Sequence, residues 1–164
     1  MSDAELIPDN IIMGERNYEA ALNLVIAEAF SEILIFDQDF IKGGYASPKR
    51  LELLHAFLSN DPLSKLTIIL QDTQHFINHC PKLFELLKLF GHKMTVYETN
   101  DSAKVAKDCF VITDKCHYLH RFHIDQPRFK YAFNDEEMAA NLLMRFNELL
   151  EETADVISVT KLGL

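Results

Sequence analysis

The sequence predicts an α/β domain in which a mixed β-sheet is flanked by helices, and two observations carry this prediction. Through the first half of the chain, short runs of apolar residues alternate with segments whose apolar side chains recur at helical spacing. In the second half, from residue 109 to residue 133, three apolar runs follow one another with no helical segment between them, which is typical of antiparallel strands. The two halves together predict parallel and antiparallel strands in one domain.

The predicted strands are short and apolar. Ile33 to Phe36 form a continuous apolar run that ends in three polar residues, 37–39, which is the pattern of a strand buried on both faces. Five further runs have a composition typical of strands. They are residues 66–70, 94–97, 109–113, 118–123 and 129–133.

The first three helices are predicted from the spacing of apolar residues and from their end signals. Residues 15–31 carry one apolar stripe at helical spacing. Ser47 followed by Pro48 is typical of an N-cap and a first helical residue, and predicts the second helix. A third leucine-rich helix is predicted to end at Gly91, because glycine readily adopts the left-handed conformation that follows many helices.

The end of the chain is predicted to be a closing helix and a docked tail. Asn134, with Glu137 three residues later, matches a capping box and begins a helix of about 17 residues. The tail from Val156 to Leu164 is apolar, so we expect it to pack against the domain.

Length and composition predict one domain. The chain has 164 residues, of which 48% are hydrophobic, and this length is usual for a single domain with its own core. No low-complexity segment or internal repeat divides it. We therefore expect residues 1–164 to form a single domain.

Cysteine usage and the lengths of the apolar runs predict a cytoplasmic protein. The three cysteines, Cys80, Cys109 and Cys116, include no C-x-x-C pair, which disfavours a disulfide framework and a structural zinc site. No run reaches the length of about 18 apolar residues that a membrane helix needs, and the first residues lack the basic region of a signal peptide. Secretion and membrane spanning are therefore not expected.

The charge of the chain is unevenly distributed. A net charge of −9 disfavours extended binding to a phosphate backbone, so nucleic acid is not expected as a partner. Residues 104–131 nevertheless carry six Lys and Arg against three Asp, whereas residues 135–155 carry seven acids against Arg145 alone. The basic segment is suited to a small phosphate or carboxylate ligand, or to the acidic helix of the same chain or of a partner protein. We favour the second interpretation.

Several aspartates follow predicted strands and suggest a metal site. Asp37, Asp39, Asp72 and Asp114 lie at or just beyond the ends of apolar runs. Convergence of Asp37, Asp39 and Asp72 would create a Mg²⁺ site and a magnesium-dependent phosphohydrolase, because Mg²⁺ prefers oxygen ligands. The simpler interpretation, which we favour, is that these residues bond to backbone N–H groups in turns.

Histidines and cysteines offer further candidate sites, for which structural roles are favoured. His75 and His79 have a spacing that places both rings on one helix face, where they can bind zinc. His117, His120 and His123 lie in a predicted strand, whose alternation sends neighbouring members to opposite faces. Cys109 and Cys116 are possible nucleophiles only if their pKa is lowered. We expect no bound metal and no cofactor.

The order of these elements resembles half of a phospholipase D-like domain. The resemblance is carried by the Leu-Leu-x-x-Phe-Leu pattern at residues 53–58, by the closing helix with residues 142–146, and by the leucine-ending tail at 162–164. In that family, strands carry an H-x-K-x-x-x-x-D motif whose His attacks a phosphodiester, whose Lys stabilises the phosphoryl charge and whose Asp supports the arrangement. Two such motifs form one site, often through pairing of single-motif chains.

The motif is degenerate in this chain. Aligning its Asp with Asp114 places Lys107 at the His position and Cys109 at the Lys position, and the Gly-Ser pair that follows in the family falls near Arg121 and Phe122. A protonated lysine is a poor nucleophile. The resemblance therefore implies a chain that is not an enzyme, similar to uncharacterised bacterial phospholipase D-like proteins.

These observations lead to a prediction of function. The chain is expected to be a non-catalytic, cytoplasmic module that binds a small anion or a protein, and to form a homodimer. Arg121 has the planar fork that suits a phosphate or carboxylate. The expected ligand contacts are Lys107, Asp114, His120 and Arg121.

Overall fold

One mixed β-sheet organises the molecule, and the computed structural model describes residues 6–157 of the chain. Within this range the sheet has eight strands in the order β1-β7-β6-β5-β2-β3-β4-β8. The strands are β1 (Ile12–Met13), β2 (Glu32–Asp37), β3 (Lys65–Leu70), β4 (Met94–Thr99), β5 (Cys109–Thr113), β6 (His117–His123), β7 (Gln126–Ala132) and β8 (Thr153–Val156). β2, β3 and β4 run parallel, and the remaining pairs are antiparallel.

Five α-helices lie in the described part of the chain. They are α1 (Glu15–Ala27), α2 (Pro48–Asn60), α3 (Gln74–His79), α4 (Pro81–Leu89) and α5 (Glu136–Glu151). A short 3₁₀ helix, Asp101–Val105, follows β4. No helix in residues 6–157 combines the length and the apolar character needed to cross a membrane.

The helices cover both faces of the sheet, as the alternation of side chains along its strands requires. Ile33 and Ile35 of β2 pack with residues of α1, α2 and α4 in one core cluster. Leu34 and Phe36, which point the other way, pack with residues of α5 in a second cluster. The predicted fold class, a mixed sheet flanked by helices, is confirmed.

The helix starts predicted from capping residues are confirmed for α2 but not for α5. Ser47 is the N-cap of α2 as expected, because its side chain accepts a hydrogen bond from the Arg50 N–H at 3.2 Å. The closing helix begins after Asp135 instead of Asn134: the Asp135 carboxylate accepts from the Met138 N–H. Asn134 is instead in a left-handed turn with φ 57°.

The first helix is shorter than its apolar stripe. α1 ends at Ala27, four residues before the predicted end, and Phe30 is 56% exposed. The reason is a contact with a residue distant in sequence. The Asp114 carboxylate accepts the backbone N–H groups of Phe30 and Ser31, and so ends the helix in a turn.

The tail begins to dock where it is described. β8 pairs antiparallel with β4, and the Ile157 N–H donates to the Val96 carbonyl at 2.8 Å. The rest of the predicted docked tail, residues 158–164, lies outside the described residues.

Candidate functional site

Polar residues of several strands meet at one edge of the sheet. The parallel strands β2 and β3 end at this edge, at Asp37 and Leu70. β5 runs in the opposite direction and begins here, and Cys109 at its start pairs with Arg121 near the end of β6. In open α/β sheets, the carboxyl ends of the parallel strands are the usual place for a ligand.

An inner pocket of about 100 Å³ opens at this edge, on the face that carries α1. It combines two carboxyl groups, a thiol and two cationic side chains with apolar walls. Its lining residues are Tyr18, Asp37, Gln38, Asp39, Ile41, Lys42, Cys109, Arg121 and Ile124.

A buried carboxyl and thiol pair forms the floor of the inner pocket. Asp37 is 5% exposed, and its carboxylate accepts the Phe40 N–H at 2.8 Å. Burial raises the pKa of Asp37 to about 6. Burial, together with the adjacent Asp37, raises the pKa of the Cys109 thiol well above its usual value. The raised pKa disfavours the thiolate form that a nucleophilic cysteine needs.

The guanidinium of Arg121 is already engaged by the chain itself. Arg121 is 1% exposed, and its two terminal nitrogens donate to the two carboxylate oxygens of Glu15 at 2.7 and 2.9 Å. It also donates to the carbonyls of His123 and Ile124 and lies over the ring of Tyr18 at 4.7 Å. The fork that the sequence analysis assigned to an anionic ligand thus holds a carboxylate of α1.

We expect Glu15→Gln to lower the free energy of unfolding by about 1 to 2 kcal/mol at pH 7, because it leaves the buried Arg121 without its counter-charge. This loss of stability is smaller than for a fully buried ion pair, because the Glu15 side chain is 49% exposed. The hydrogen bond from Arg121 lowers the pKa of Glu15. The stabilisation is therefore present above the ordinary glutamate pKa and is lost as the pH falls through the lowered value.

Urea denaturation of the two proteins at pH 7 and at pH 3 measures this difference. Glu85→Gln, at an exposed position of α4, is the matched control. Equal stability of Glu15→Gln and wild type at pH 7 would show that Arg121 does not depend on Glu15.

A second, more polar pocket, the outer groove, has a volume of about 410 Å³. It is lined by Gln38, Gln71, Asp72, Gln74, Glu98, Lys104 and Lys107. Most of these side chains are held by internal hydrogen bonds. Gln71 donates to the carbonyls of Ala103 and Ala106, and the ammonium of Lys104 donates to the carbonyls of Gln71 and Thr99.

Lys107 differs from its neighbours in the outer groove. Its side chain is exposed, and it makes no hydrogen bond or ion pair with any other residue in the described range 6–157. It stands just before β5, and the sequence analysis predicted that it occupies the position of the motif histidine. Its ammonium group is therefore available to a ligand.

The four predicted ligand contacts do not meet in one cleft. Lys107 and Arg121 lie at the same edge of the sheet, but Asp114 lies beyond the other end of β5, whose five residues span about 13 Å at the rise of an extended strand. Asp114 accepts the N–H groups of Phe30, Ser31 and Glu32 at the start of β2. No small ligand can contact both ends of the strand.

His120 points to the opposite face from Arg121, because the two are adjacent in β6. Its Nε2 lies 2.7 Å from Oδ2 of Asp108, which also receives a two-point ion pair from Arg145 of α5. In the described residues, this ion pair joins the acidic helix to the basic segment. The expected pairing was between acids of the helix and cations of the segment, and the observed one is the reverse. The helix contributes its cation and the segment contributes an acid.

The three-aspartate magnesium site is not formed. Asp39 and Asp72 each accept a backbone N–H two residues ahead, from Ile41 and Gln74, as turn aspartates do. Across residues 6–157, no three His, Cys, Asp or Glu side chains gather in a group that could hold a metal ion. His75 and His79 do contact each other, with ring centroids 5.3 Å apart, but they belong to no such group.

A comparison with models of protein families identifies the family of the chain. The model described as "Domain of unknown function (DUF7931)" matches residues 14–162. The chain belongs to this DUF7931 family. No curated protein matches the chain.

Solved structures show which fold this DUF7931 domain has. Nuc from Salmonella typhimurium, a phospholipase D family member, aligns with a TM-score of 0.62 at 10% identity, over 91% of this chain and 99% of Nuc. NucT from Helicobacter pylori aligns with a TM-score of 0.59 at 14% identity, over 88% of this chain and 96% of NucT. The predicted phospholipase D-like fold is therefore confirmed.

A third similar structure is TrmBL2, an archaeal chromatin protein with a novel mode of DNA binding. The TM-score is 0.65 at 16% identity, over 90% of this chain. The chain spans 55% of TrmBL2, so it corresponds to about half of that protein.

The prediction that nucleic acid is an unlikely partner was wrong. A protein that shares this fold, TrmBL2, binds DNA. The net charge of −9 is a sum over the whole chain and does not describe any one surface. The basic segment and the acidic helix contribute to that sum with opposite signs.

Sequence reasoning missed Glu15 and Tyr18, which hold Arg121 in place. Glu15 lies 106 residues from Arg121 in the chain, so no local pattern links them. One signal was available: an arginine among apolar strand residues needs a counter-charge when it is buried, and Glu15 begins the helix predicted to cover the sheet.

Proposed function

We propose that this DUF7931 domain is a non-catalytic module that binds one phosphate group of a ligand at the outer groove, with Lys107 as the main contact. The observation that carries the proposal is the difference in exposure between the residues at the His and Lys positions of the predicted motif, Lys107 and Cys109. Lys107 is exposed and available, whereas Cys109 is buried against Asp37.

Three features support a role without catalysis. Among the described residues that line the inner pocket and the outer groove there is no histidine to attack a phosphodiester. The Cys109 thiol is kept protonated by burial and by Asp37. Arg121, the cation paired with Cys109 across the strands, is neutralised by Glu15. Apart from Lys107, the histidine, thiol and guanidinium groups that could attack or stabilise a reacting phosphate here are thus absent or engaged.

The composition of the outer groove supports a single phosphate group as the ligand. A lysine ammonium is a compact charge with three donors, which suits phosphate oxygens. Asp72 and Glu98 line the same groove and would repel a second phosphate. The ligand class is therefore a molecule with one accessible phosphate, such as a mononucleotide or the phosphorylated end of a nucleic acid.

Lys107→Ala is expected to weaken phosphate binding about tenfold or more, the factor that corresponds to losing one hydrogen bond to a charged group. Titration calorimetry with inorganic phosphate, and then with a mononucleotide, measures the effect. Lys49→Ala is the matched control, because Lys49 is an exposed lysine of α2 whose side chain is 61% accessible.

Two outcomes would contradict the proposal. Wild-type protein that binds neither probe has no phosphate site at this groove. Equal affinities of Lys107→Ala and wild type would place the site elsewhere.

A further inference from the structure

The face of the sheet that carries α5 is only partly covered. α5 packs on β4, β5 and β6, and apolar side chains near the end of β6 and on β1 remain in solvent. Phe122 of β6 is 37% exposed, and Met13 of β1 is 60% exposed. Met13 pairs with Arg128, so it lies on the same face as Arg128.

Phe122 lies beside basic side chains of β6 and β7. Arg128 lies over its ring, with the guanidinium carbon 6.0 Å from the centroid, and His120 contacts it edge-on at 5.1 Å. Lys130 pairs directly with His120, and so points to the same face. We call Phe122, His120, Arg128 and Lys130 the aromatic platform.

The aromatic platform keeps two cations without an acidic partner in the described part of the chain, Arg128 and Lys130. The acid next to it, Asp108, is paired with Arg145 and His120. In the described part of the chain, Lys130 has no ion pair, and Arg128 has only its contact with the Phe122 ring. An exposed aromatic ring beside two cations that have no acidic partner within residues 6–157 is thus present on an acidic protein.

We propose that the aromatic platform binds single-stranded nucleic acid: one base stacks on Phe122 in place of the Arg128 guanidinium, and Arg128 and Lys130 hold the flanking phosphates. Base stacking on aromatic side chains, combined with cations that follow the backbone, is the common mode of single-strand recognition. The flanking charges are complementary to phosphates, and a single ring provides a surface for one base. The net charge of −9 fits a contact with one or two nucleotides better than a long backbone track.

This proposal is independent of the phosphate site at Lys107. Asp108, which follows Lys107, faces α5 and the aromatic platform, whereas Lys107 lines the outer groove at the strand ends. Failure of one proposal therefore leaves the other standing, and Lys107→Ala separates them.

Binding is measured by fluorescence anisotropy with a labelled thymidine oligomer of about 12 nucleotides and with an abasic oligomer that has the same phosphates. We expect Phe122→Ala and Phe122→Leu to weaken thymidine binding at least fivefold, which corresponds to the loss of about 1 kcal/mol of stacking. Both variants should bind the abasic oligomer as wild type does. Phe122→Leu keeps the apolar volume, and its melting temperature reports whether the fold is intact.

Replacing the charged residues of the aromatic platform is expected to change binding in a different way from replacing Phe122. The double variant Arg128→Gln with Lys130→Gln should weaken binding of both oligomers and reduce the salt dependence by about 1.4 in the slope of log affinity against log salt. Lys49→Ala is again the control and should change neither quantity.

Three outcomes would overturn the proposal. One is equal affinity of wild type for the thymidine and abasic oligomers, and another is unchanged thymidine binding by folded Phe122→Leu. The third is binding to vesicles with anionic lipid headgroups or to an acidic peptide, but not to the oligomer.

Discussion

Replacing Asp114 by Ala is expected to lower the free energy of unfolding by about 3 kcal/mol. The Asp114 carboxylate accepts the backbone N–H groups of Phe30, Ser31 and Glu32 at 2.8 to 3.0 Å, and also the Ser31 hydroxyl. These bonds join the turn after β5 to the turn before β2, across more than 80 residues of sequence. Water can reach part of the turn, so the loss is smaller than the sum of the separate bonds.

The conformation of Asp114 adds to the effect. Its φ is 53°, in the left-handed region, which aspartate and asparagine tolerate better than alanine. Asp114→Asn keeps this tolerance and one acceptor oxygen, so it should lose about half as much stability as Asp114→Ala.

Urea denaturation at pH 7 measures both variants of Asp114. Its hydrogen bonds with backbone N–H groups lower the pKa of Asp114 in spite of partial burial, so its stabilising effect is lost as the pH falls through that lowered value. An Asp114→Ala variant within about 0.5 kcal/mol of wild type, the usual range for a surface change, would show that the carboxylate does not hold the two turns together.

Asp37→Asn is expected to remove a pH dependence of about 3 kcal/mol. Burial raises the pKa of Asp37 from 3.8 to about 6, and each pKa unit corresponds to 1.36 kcal/mol. A raised pKa means that the folded protein holds the proton more tightly than the unfolded chain does. This contribution is fully present below pH 3.8 and is lost as the pH rises through about 6.

The test compares the stability of wild type and Asp37→Asn by urea denaturation from pH 3 to pH 8. The variant should gain about 3 kcal/mol relative to wild type over this range, with most of the change below pH 7. Cys109→Ala keeps the Asp37 carboxyl and should retain the pH dependence. A constant difference between wild type and Asp37→Asn across the range would mean that the folded protein does not shift the ionisation of Asp37.

The fold could be predicted from the sequence to the extent that its signals are local. The apolar run at residues 33–36 is buried in the centre of the sheet, and Ser47 caps α2, because burial and capping depend on neighbours in sequence. The end of α1 could not be predicted in this way. It is set by Asp114, a residue more than 80 positions away.

The candidate site was less predictable for the same reason. Side-chain alternation places Arg121 and His120 on opposite faces, and strand length places Lys107 and Asp114 at opposite ends, so these separations follow from simple geometry. The engagement of Arg121 by Glu15 does not, because it depends on how α1 packs against β6. Exposed Lys107 therefore remains as the proposed contact at the outer groove.

The central proposal is that the outer groove binds a phosphate group without cleaving a phosphodiester. The most direct test incubates wild-type protein with bis(p-nitrophenyl) phosphate and follows both nitrophenolate release and the intact mass of the protein. We expect the compound to compete with inorganic phosphate for binding, with no product above the buffer control and no covalent adduct. Product released in proportion to protein, or a phosphoryl adduct in the intact mass, would contradict the account.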